Sequence, residues 1–216
     1  MKFPTIAIID YGMGNLRSVS KALEIVGANV KVTGDPRVIS AAAGIVFPGV
    51  GSFRPAMNFI KNSGLKGVIL DAIDRSVPFL GLCLGFQLLF SLSEEHGRSR
   101  GLNVIPGDVV EFDRSMKDEG ESVKVPHMGW NRVSIARKEL KKTMFKGIPD
   151  RSYFYFVHSY YAKPTEKDAI AGITEYGRPF CSAVVLGNTW GCQFHPEKSG
   201  EKGLTLLKNF VREVKQ

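Results

Sequence analysis

The chain has 216 residues, 44% of them apolar, and its 29 basic and 21 acidic residues leave a formal charge of +8. That length and composition suit one domain, residues 1–216, with a sizeable core. No basic-then-apolar leader precedes the first apolar run and no run is long enough to span a bilayer, so a soluble, cytoplasmic protein is expected.

The first half alternates between strand and helix patterns. Thr5 to Ile9 reads as a strand, Asn15 to Gly27 as a helix, and Asn29 to Thr33 and Gly44 to Phe47 as strands. Helical stretches follow from Phe53 to Arg75, then a strand from Pro78 to Leu82 and a helix after Cys83. Such alternation predicts an α/β fold: a mostly parallel, open, flavodoxin-like sheet with helices on both faces and its ligands at the carboxyl ends of the strands. The second half is richer in strands, near Val104 to Phe112, Trp130 to Ile135, Ser152 to Val157, Ala169 to Thr174, Phe180 to Leu186 and Thr189 to Gln193. A closing helix begins at about Ser199. The charged stretch from Asp113 to Ser122 reads as a mobile surface loop.

Three cysteines, Cys83, Cys181 and Cys192, are odd in number and lack C-x-x-C spacing. A disulfide framework and a structural zinc site are therefore disfavoured, and reduced thiols with no metal or cofactor are expected. The basic residues are dispersed, which fits a solvated surface, with an acidic partner or an anionic substrate as the alternatives. No interleaved aromatic and basic motif suggests nucleic acid.

One cysteine stands apart. Cys83 lies in Gly81-Leu82-Cys83-Leu84-Gly85, where an apolar strand pattern breaks and a helical one resumes. Flanking glycines allow a sharp turn and close passage of neighbouring backbone, the pattern of a nucleophile elbow. A thiol at the start of a helix also meets free amide donors that favour thiolate. A buried structural cysteine is the rival reading for any single Cys. Further on, Gly191-Cys192-Gln193-Phe194-His195-Pro196-Glu197 ends a strand with His and Glu two positions apart, so extended backbone points both side chains the same way. A general base for the thiol, and a carboxylate to orient that base, are thereby supplied together. An oxyanion needs donors as well, and loss of one typically costs ~3 kcal/mol in the transition state. Candidates are the Leu84 amide and the loop Pro48-Gly49-Val50-Gly51. That loop and Gly12-Met13-Gly14 lack the third glycine of a dinucleotide fingerprint, and no Walker lysine is present.

Taken with the Cys83 elbow, His195-Pro196-Glu197 and Pro48-Gly49-Val50-Gly51, the chain resembles the class I, triad-type glutamine amidotransferases. Asp10-Tyr11-Gly12-Met13-Gly14-Asn15-Leu16, Pro126-His127-Met128-Gly129-Trp130-Asn131 and His195-Pro196-Glu197-Lys198-Ser199 narrow the resemblance to the glutaminase subunits of imidazole glycerol phosphate synthase. This implies glutamine hydrolysis by Cys83 as nucleophile, His195 as acid and base and Glu197 as its orienter. Val50, Gly49 and Leu84 would form the oxyanion hole. Gly51, Gln87, Glu95, His158, Ser159 and Tyr160 would border the glutamine. The resemblance also implies a (β/α)8-barrel cyclase partner that receives the ammonia in histidine biosynthesis. Tyr11, Asn15, Trp130, Asn131 and Lys198 would face that partner, the large aromatics as anchors. Rival readings are another amidotransferase glutaminase, such as that of pyridoxal phosphate synthase, a synthase serving surface-sugar synthesis, a cysteine peptidase of similar fold, and a silent binding module.

Overall fold

A computed structural model describes residues 4–113, 115–118 and 121–215. The first half contains β1 (Thr5–Ile9), α1 (Leu16–Ile25), β2 (Asn29–Thr33), α2 (Pro36–Ser40), β3 (Gly44–Gly49), α3 (Phe53–Asn62), α4 (Leu65–Asp74), β4 (Phe79–Cys83) and α5 (Leu84–Gln87). After these come β5 (Phe90–Ser93), β6 (Ser99–Arg100), β7 (Ile105–Glu111), β8 (Lys117–Asp118), β9 (Glu121–Ser122), β10 (His127–Ile135) and β11 (Ser152–His158). The chain closes with β12 (Tyr160–Pro164), β13 (Ile170–Glu175), β14 (Pro179–Leu186), β15 (Thr189–Cys192) and α6 (Gly200–Val214).

One large sheet runs in the order β2-β1-β3-β4-β15-β14-β12-β7-β5-β6, with β13, β10 and β11 branching from β14. Its first five strands are parallel. Strands joined without a crossover helix must return antiparallel, and β14 accordingly runs antiparallel to β15, β12 and β13. The expected doubly wound sheet is therefore extended by a mostly antiparallel flank, with β5 and β7 its parallel pair, that carries most of the second half.

Strand β1 shows why helices cover both faces. Ile6 and Ile8 point into one core with α1 and α6, while Ala7 and Ile9 point into a second with α3 and α4. A strand apolar at every position can be buried only between two layers. The helical stretch from Phe53 to Arg75 is two helices, because Gly64 takes φ +76° between them. Three sequence expectations need correction. The helix after Cys83 is a single turn, because Leu102 and Val104 donate to the Leu88 and Leu89 carbonyls and draw the chain back into the sheet as β5. Strands β5, β6 and β12 and helix α2 carry no distinct pattern and were not anticipated. The 113–122 stretch includes a small hairpin, β8 with β9, while Arg114, Glu119 and Gly120 lie outside the described residues.

Helix α6 packs against the turn that follows β15 so closely that a Cβ on Gly203 would sit 1.9 Å from the Pro196 carbonyl oxygen. At Gly67 in α4 an added Cβ would meet nothing within 4 Å. An internal helical Gly→Ala change normally stabilises by roughly 0.5–1 kcal/mol, and the two sites should respond with opposite signs. Thermal unfolding of Gly67→Ala should move up, whereas Gly203→Ala should fall by roughly 1–3 kcal/mol from forced displacement of α6. A stabilised Gly203→Ala would show that the contact is loose.

Candidate active site

Three neighbouring strand ends converge at one edge of the sheet. Gly49, the last residue of β3, lies opposite Cys83, the last of β4, and β15 delivers Gln193 and His195 from the other side of β4. Cys83 adopts φ +52°, ψ −109°, a region that a non-glycine residue occupies at a cost of roughly 1–3 kcal/mol. The flanking glycines make the turn feasible. A Cβ at Gly85 would lie 1.8 Å from the Phe47 carbonyl oxygen, and one at Gly81 would meet the backbone of Gly85 and Phe86 at 3.0 Å. The elbow anticipated from the sequence is formed, although the helix behind it is too short to supply an extended dipole.

A cavity of about 350 Å³ opens over Cys83. Val50, Gly51, Leu84, Gln87, Glu95, His158, Ser159, Tyr160 and His195 line it, together with Pro126 and Val157. Gln87 is itself part of the scaffold: its Nε2 donates to the Tyr160 carbonyl (3.0 Å) and to Gln193 Oε1 (2.9 Å). Gln193, whose role the sequence did not reveal, donates from Nε2 toward Cys83 Sγ at 3.7 Å. Glu95 accepts the Phe53 amide at 2.6 Å through Oε2 and so caps α3, whose N-cap Ser52 makes no side-chain bond.

His195 Nδ1 lies 2.8 Å from Glu197 Oε1, and both side chains are almost wholly buried. The turn is held by Ser199, whose hydroxyl donates to the His195 carbonyl (2.6 Å) and accepts from the Tyr155 amide (3.0 Å). Burial alone would disfavour the imidazolium, but Cys83 and the Glu197 carboxylate outweigh it, and the His195 pKa is raised. Nε2 itself has no partner in hydrogen-bonding geometry. Catalytic hydrogen bonds are often open before substrate arrives. Nε2 is the nitrogen left available for proton exchange at the thiol, because Nδ1 is committed to the carboxylate.

Tyr11 and Asn131 depart from the expectation of exposed contact residues. Tyr11 is 1% exposed and packed on Phe47 beneath the Gly49 backbone, where an added Cβ would come 2.2 Å from its hydroxyl. Burial, and after it the nearby Cys83, push the pKa of that hydroxyl up. Asn131 points inward because strand alternation puts it on the face opposite Trp130, and it donates to the Glu175 carbonyl at 2.8 Å. Asn15 caps α1 by accepting the Ser18 amide at 3.4 Å. Trp130 is 56% exposed and packs edge-on to Tyr155, whose ring also lies 5.8 Å below the Lys198 ammonium. Met128 and Tyr153 extend this exposed surface.

With that geometry in view, comparison with known proteins decides the family. Residues 7–214 match the model of the class-I glutamine amidotransferase family. The chain belongs to this family. It is 52% identical over 207 residues to an imidazole glycerol phosphate synthase subunit HisH of Geobacter metallireducens, covering 96% of this chain and 97% of that one. The protein of the same name from Moorella thermoacetica is 51% identical over 205 residues, covering 95% and 93%. Among solved structures, PurLQS from Thermotoga maritima superposes with a TM-score of 0.73 at 17% identity, over 98% of this chain and 99% of that one. The protein is a glutamine amidotransferase, an enzyme acting on the glutamine side-chain amide.

The three thiols should differ sharply in reactivity. Cys181 and Cys192 are closed in the core, and burial raises both, Cys181 to about 12 and Cys192 well above the ordinary thiol range. Cys83 faces the cavity. Brief alkylation of the folded protein at neutral pH, read by peptide mass spectrometry, should label Cys83 alone, since thiolate is the reactive form. Comparable labelling of Cys181 or Cys192, neither of which lines the cavity, would contradict this ordering.

Proposed function

We propose that the chain is the glutaminase subunit of an imidazole glycerol phosphate synthase, working through Cys83, His195 and Glu197. Cys83 Sγ gives its proton to His195 Nε2 and attacks the side-chain amide carbon of glutamine, and the tetrahedral oxyanion is received by the Val50 and Leu84 amides, with Gly49 shaping the loop. His195 Nε2 gives its proton to the departing ammonia as the C–N bond breaks, leaving a γ-glutamyl thioester on Cys83. A water that surrenders a proton to the same nitrogen attacks the thioester, and glutamate leaves with the thiol restored. Glu197 fixes the tautomer of His195 and balances the imidazolium formed in each half-reaction. Gly51, Gln87, His158, Ser159 and Tyr160 border the glutamine, and the Glu95 carboxylate faces its ammonium group.

The observation that carries this reading is the strained Cys83 beside a histidine whose other nitrogen is held 2.8 Å from a buried carboxylate. Relatives about half identical along nearly their whole length bear the synthase name, which supports the choice among glutaminases. Their designation as a subunit supports a partner, which we take to be a (β/α)8-barrel cyclase that consumes the ammonia in histidine biosynthesis. The exposed Met128, Trp130 and Tyr153, with Lys198 over Tyr155, form the surface best suited to it, since aromatic anchors dominate association energetics.

Reconstitution with such a cyclase tests both halves of the proposal. Cys83→Ala should lower glutamine-dependent synthesis by about a thousandfold or more, while synthesis from added ammonium salt continues, because the partner does not use the thiol. Trp130→Ala should instead weaken pairing about tenfold or more, the loss of one buried anchor, while leaving Cys83 open to alkylation. Full glutamine turnover by Cys83→Ala would refute the nucleophile, and unchanged affinity of Trp130→Ala would remove that surface from the interface.

A further inference from the structure

Strand β10 carries residues of opposite character on its two faces. Met128 and Trp130 are exposed, while His127 and Asn131, at alternate positions, point inward. His127 lies directly across from His158 in the register of β10 with β11. Both imidazoles are buried among Phe112, Phe156 and Phe180, and Tyr176 stacks on His127 at 3.9 Å. None of these contacts belongs to the reaction described above.

Their hydrogen bonds form a continuous line. Asn131 Nδ2 is 3.2 Å from His127 Nε2, His127 Nδ1 is 3.0 Å from His158 Nε2, and His158 Nδ1 is 2.8 Å from the Tyr160 carbonyl oxygen. A carbonyl only accepts, so His158 carries its proton on Nδ1. Burial lowers the pKa of His127 to about 4 and of His158 to about 3, so each ring holds one proton at neutral pH. His158 Nε2 is then bare and must accept, His127 Nδ1 must donate, and His127 Nε2 must accept in turn. The far end agrees without adjustment. The Asn131 side chain is oriented independently, its Oδ1 accepting the Arg132 amide (2.7 Å) and its Nδ2 donating to the Glu175 carbonyl (2.8 Å). That orientation leaves a donor directed at His127.

The line continues past Tyr160. Its carbonyl also accepts from Gln87 Nε2, which donates to Gln193 Oε1, and Gln193 Nε2 donates toward Cys83 Sγ. We propose that Asn131, His127 and His158 are positioning residues for the glutaminase site: a one-way hydrogen-bond chain, each imidazole protonated on Nδ1, that fixes the Val157–Tyr160 wall of the cavity and ties it to the strand bearing Trp130. The inference rests on Cys83 being the nucleophile of the cavity that this wall encloses. Reversing the polarity of any link would oppose two lone pairs or two protons in a buried space, where an unmet polar group is costly. The chain therefore holds one wall geometry rather than merely filling volume.

The test reads the tautomers directly. In the full chain labelled with 15N-histidine, long-range proton–nitrogen spectra at neutral pH should show protonated Nδ1 and bare Nε2 for both His127 and His158, assigned by the loss of their signals in His127→Gln and His158→Gln. A proton on Nε2 of either ring in the unaltered protein would overturn the proposal, whatever becomes of the variants. Asn131→Asp puts an anionic acceptor at His127 Nε2 and should add a proton there while Nδ1 keeps its own, giving the imidazolium; Asn131→Leu removes the donor and should leave the tautomers as they were. With the synthase partner present, Asn131→Asp should raise the KM for glutamine tenfold or more and Asn131→Leu by less. Equal KM values for the two variants, or a His127 Nε2 that stays bare in Asn131→Asp, would overturn the relay. Failure of the nucleophile assignment is separately visible, because Cys83→Ala should keep both Nδ1–H signatures whether or not it retains glutamine turnover.

Discussion

The passage of the Gly85 backbone against the Phe47 carbonyl is the constraint on which the site depends. It leaves no room for a side chain at residue 85 and holds the turn in which Cys83 takes φ +52°. Such strain persists only where the surroundings over-determine the backbone. Here they do: β4 is hydrogen-bonded between β3 and β15, and each of its five residues is buried. The core thus supports a conformation that points a thiol out of the sheet, and the same pairing sets Gly49 opposite Cys83.

Electrostatics give that geometry its chemistry. Around Cys83 the cavity wall is largely apolar, so nearby charges act with less screening than in water. Glu197 is buried to within 1% and hydrogen-bonded to one imidazole nitrogen, which favours the charged imidazole against the cost of its own burial. Cys181 and Cys192 show the alternative: thiols whose burial raises them well above the ordinary thiol range, Cys192 raised further by the Glu197 carboxylate. Facing the cavity, rather than cysteine chemistry as such, sets Cys83 apart from the other two thiols.

Much of this was legible in the sequence because it depends on local pattern. Alternating strand and helix signals predicted the parallel half of the sheet. Gly81 and Gly85 predicted the elbow; His195 and Glu197 do meet, but across a 3-10 turn over Pro196–Lys198 rather than along the extended backbone their spacing suggested. Features set by long-range packing were not legible. The helix after Cys83 ends at one turn because residues 102–104 bond back to it, and no nearby residue signals that stop. Tyr11 looks like a surface anchor in a glycine-rich string, yet it is covered because Gly49 leaves space for its hydroxyl. Gln193 acquires its place only when β15 is laid beside β4. Asn131 shares a motif with Trp130 and faces the other way, as alternation along a strand holding both requires; the shared motif, not the strand, suggested a common role.

The account stands on a covalent intermediate at the strained cysteine. Its most direct test is rapid acid quenching of the reconstituted synthase during turnover of isotopically labelled glutamine, followed by peptide mapping. A γ-glutamyl adduct on the peptide containing Cys83, formed and discharged at rates that account for turnover, is the predicted result. Turnover with no adduct at Cys83, or with label on another residue, would contradict it.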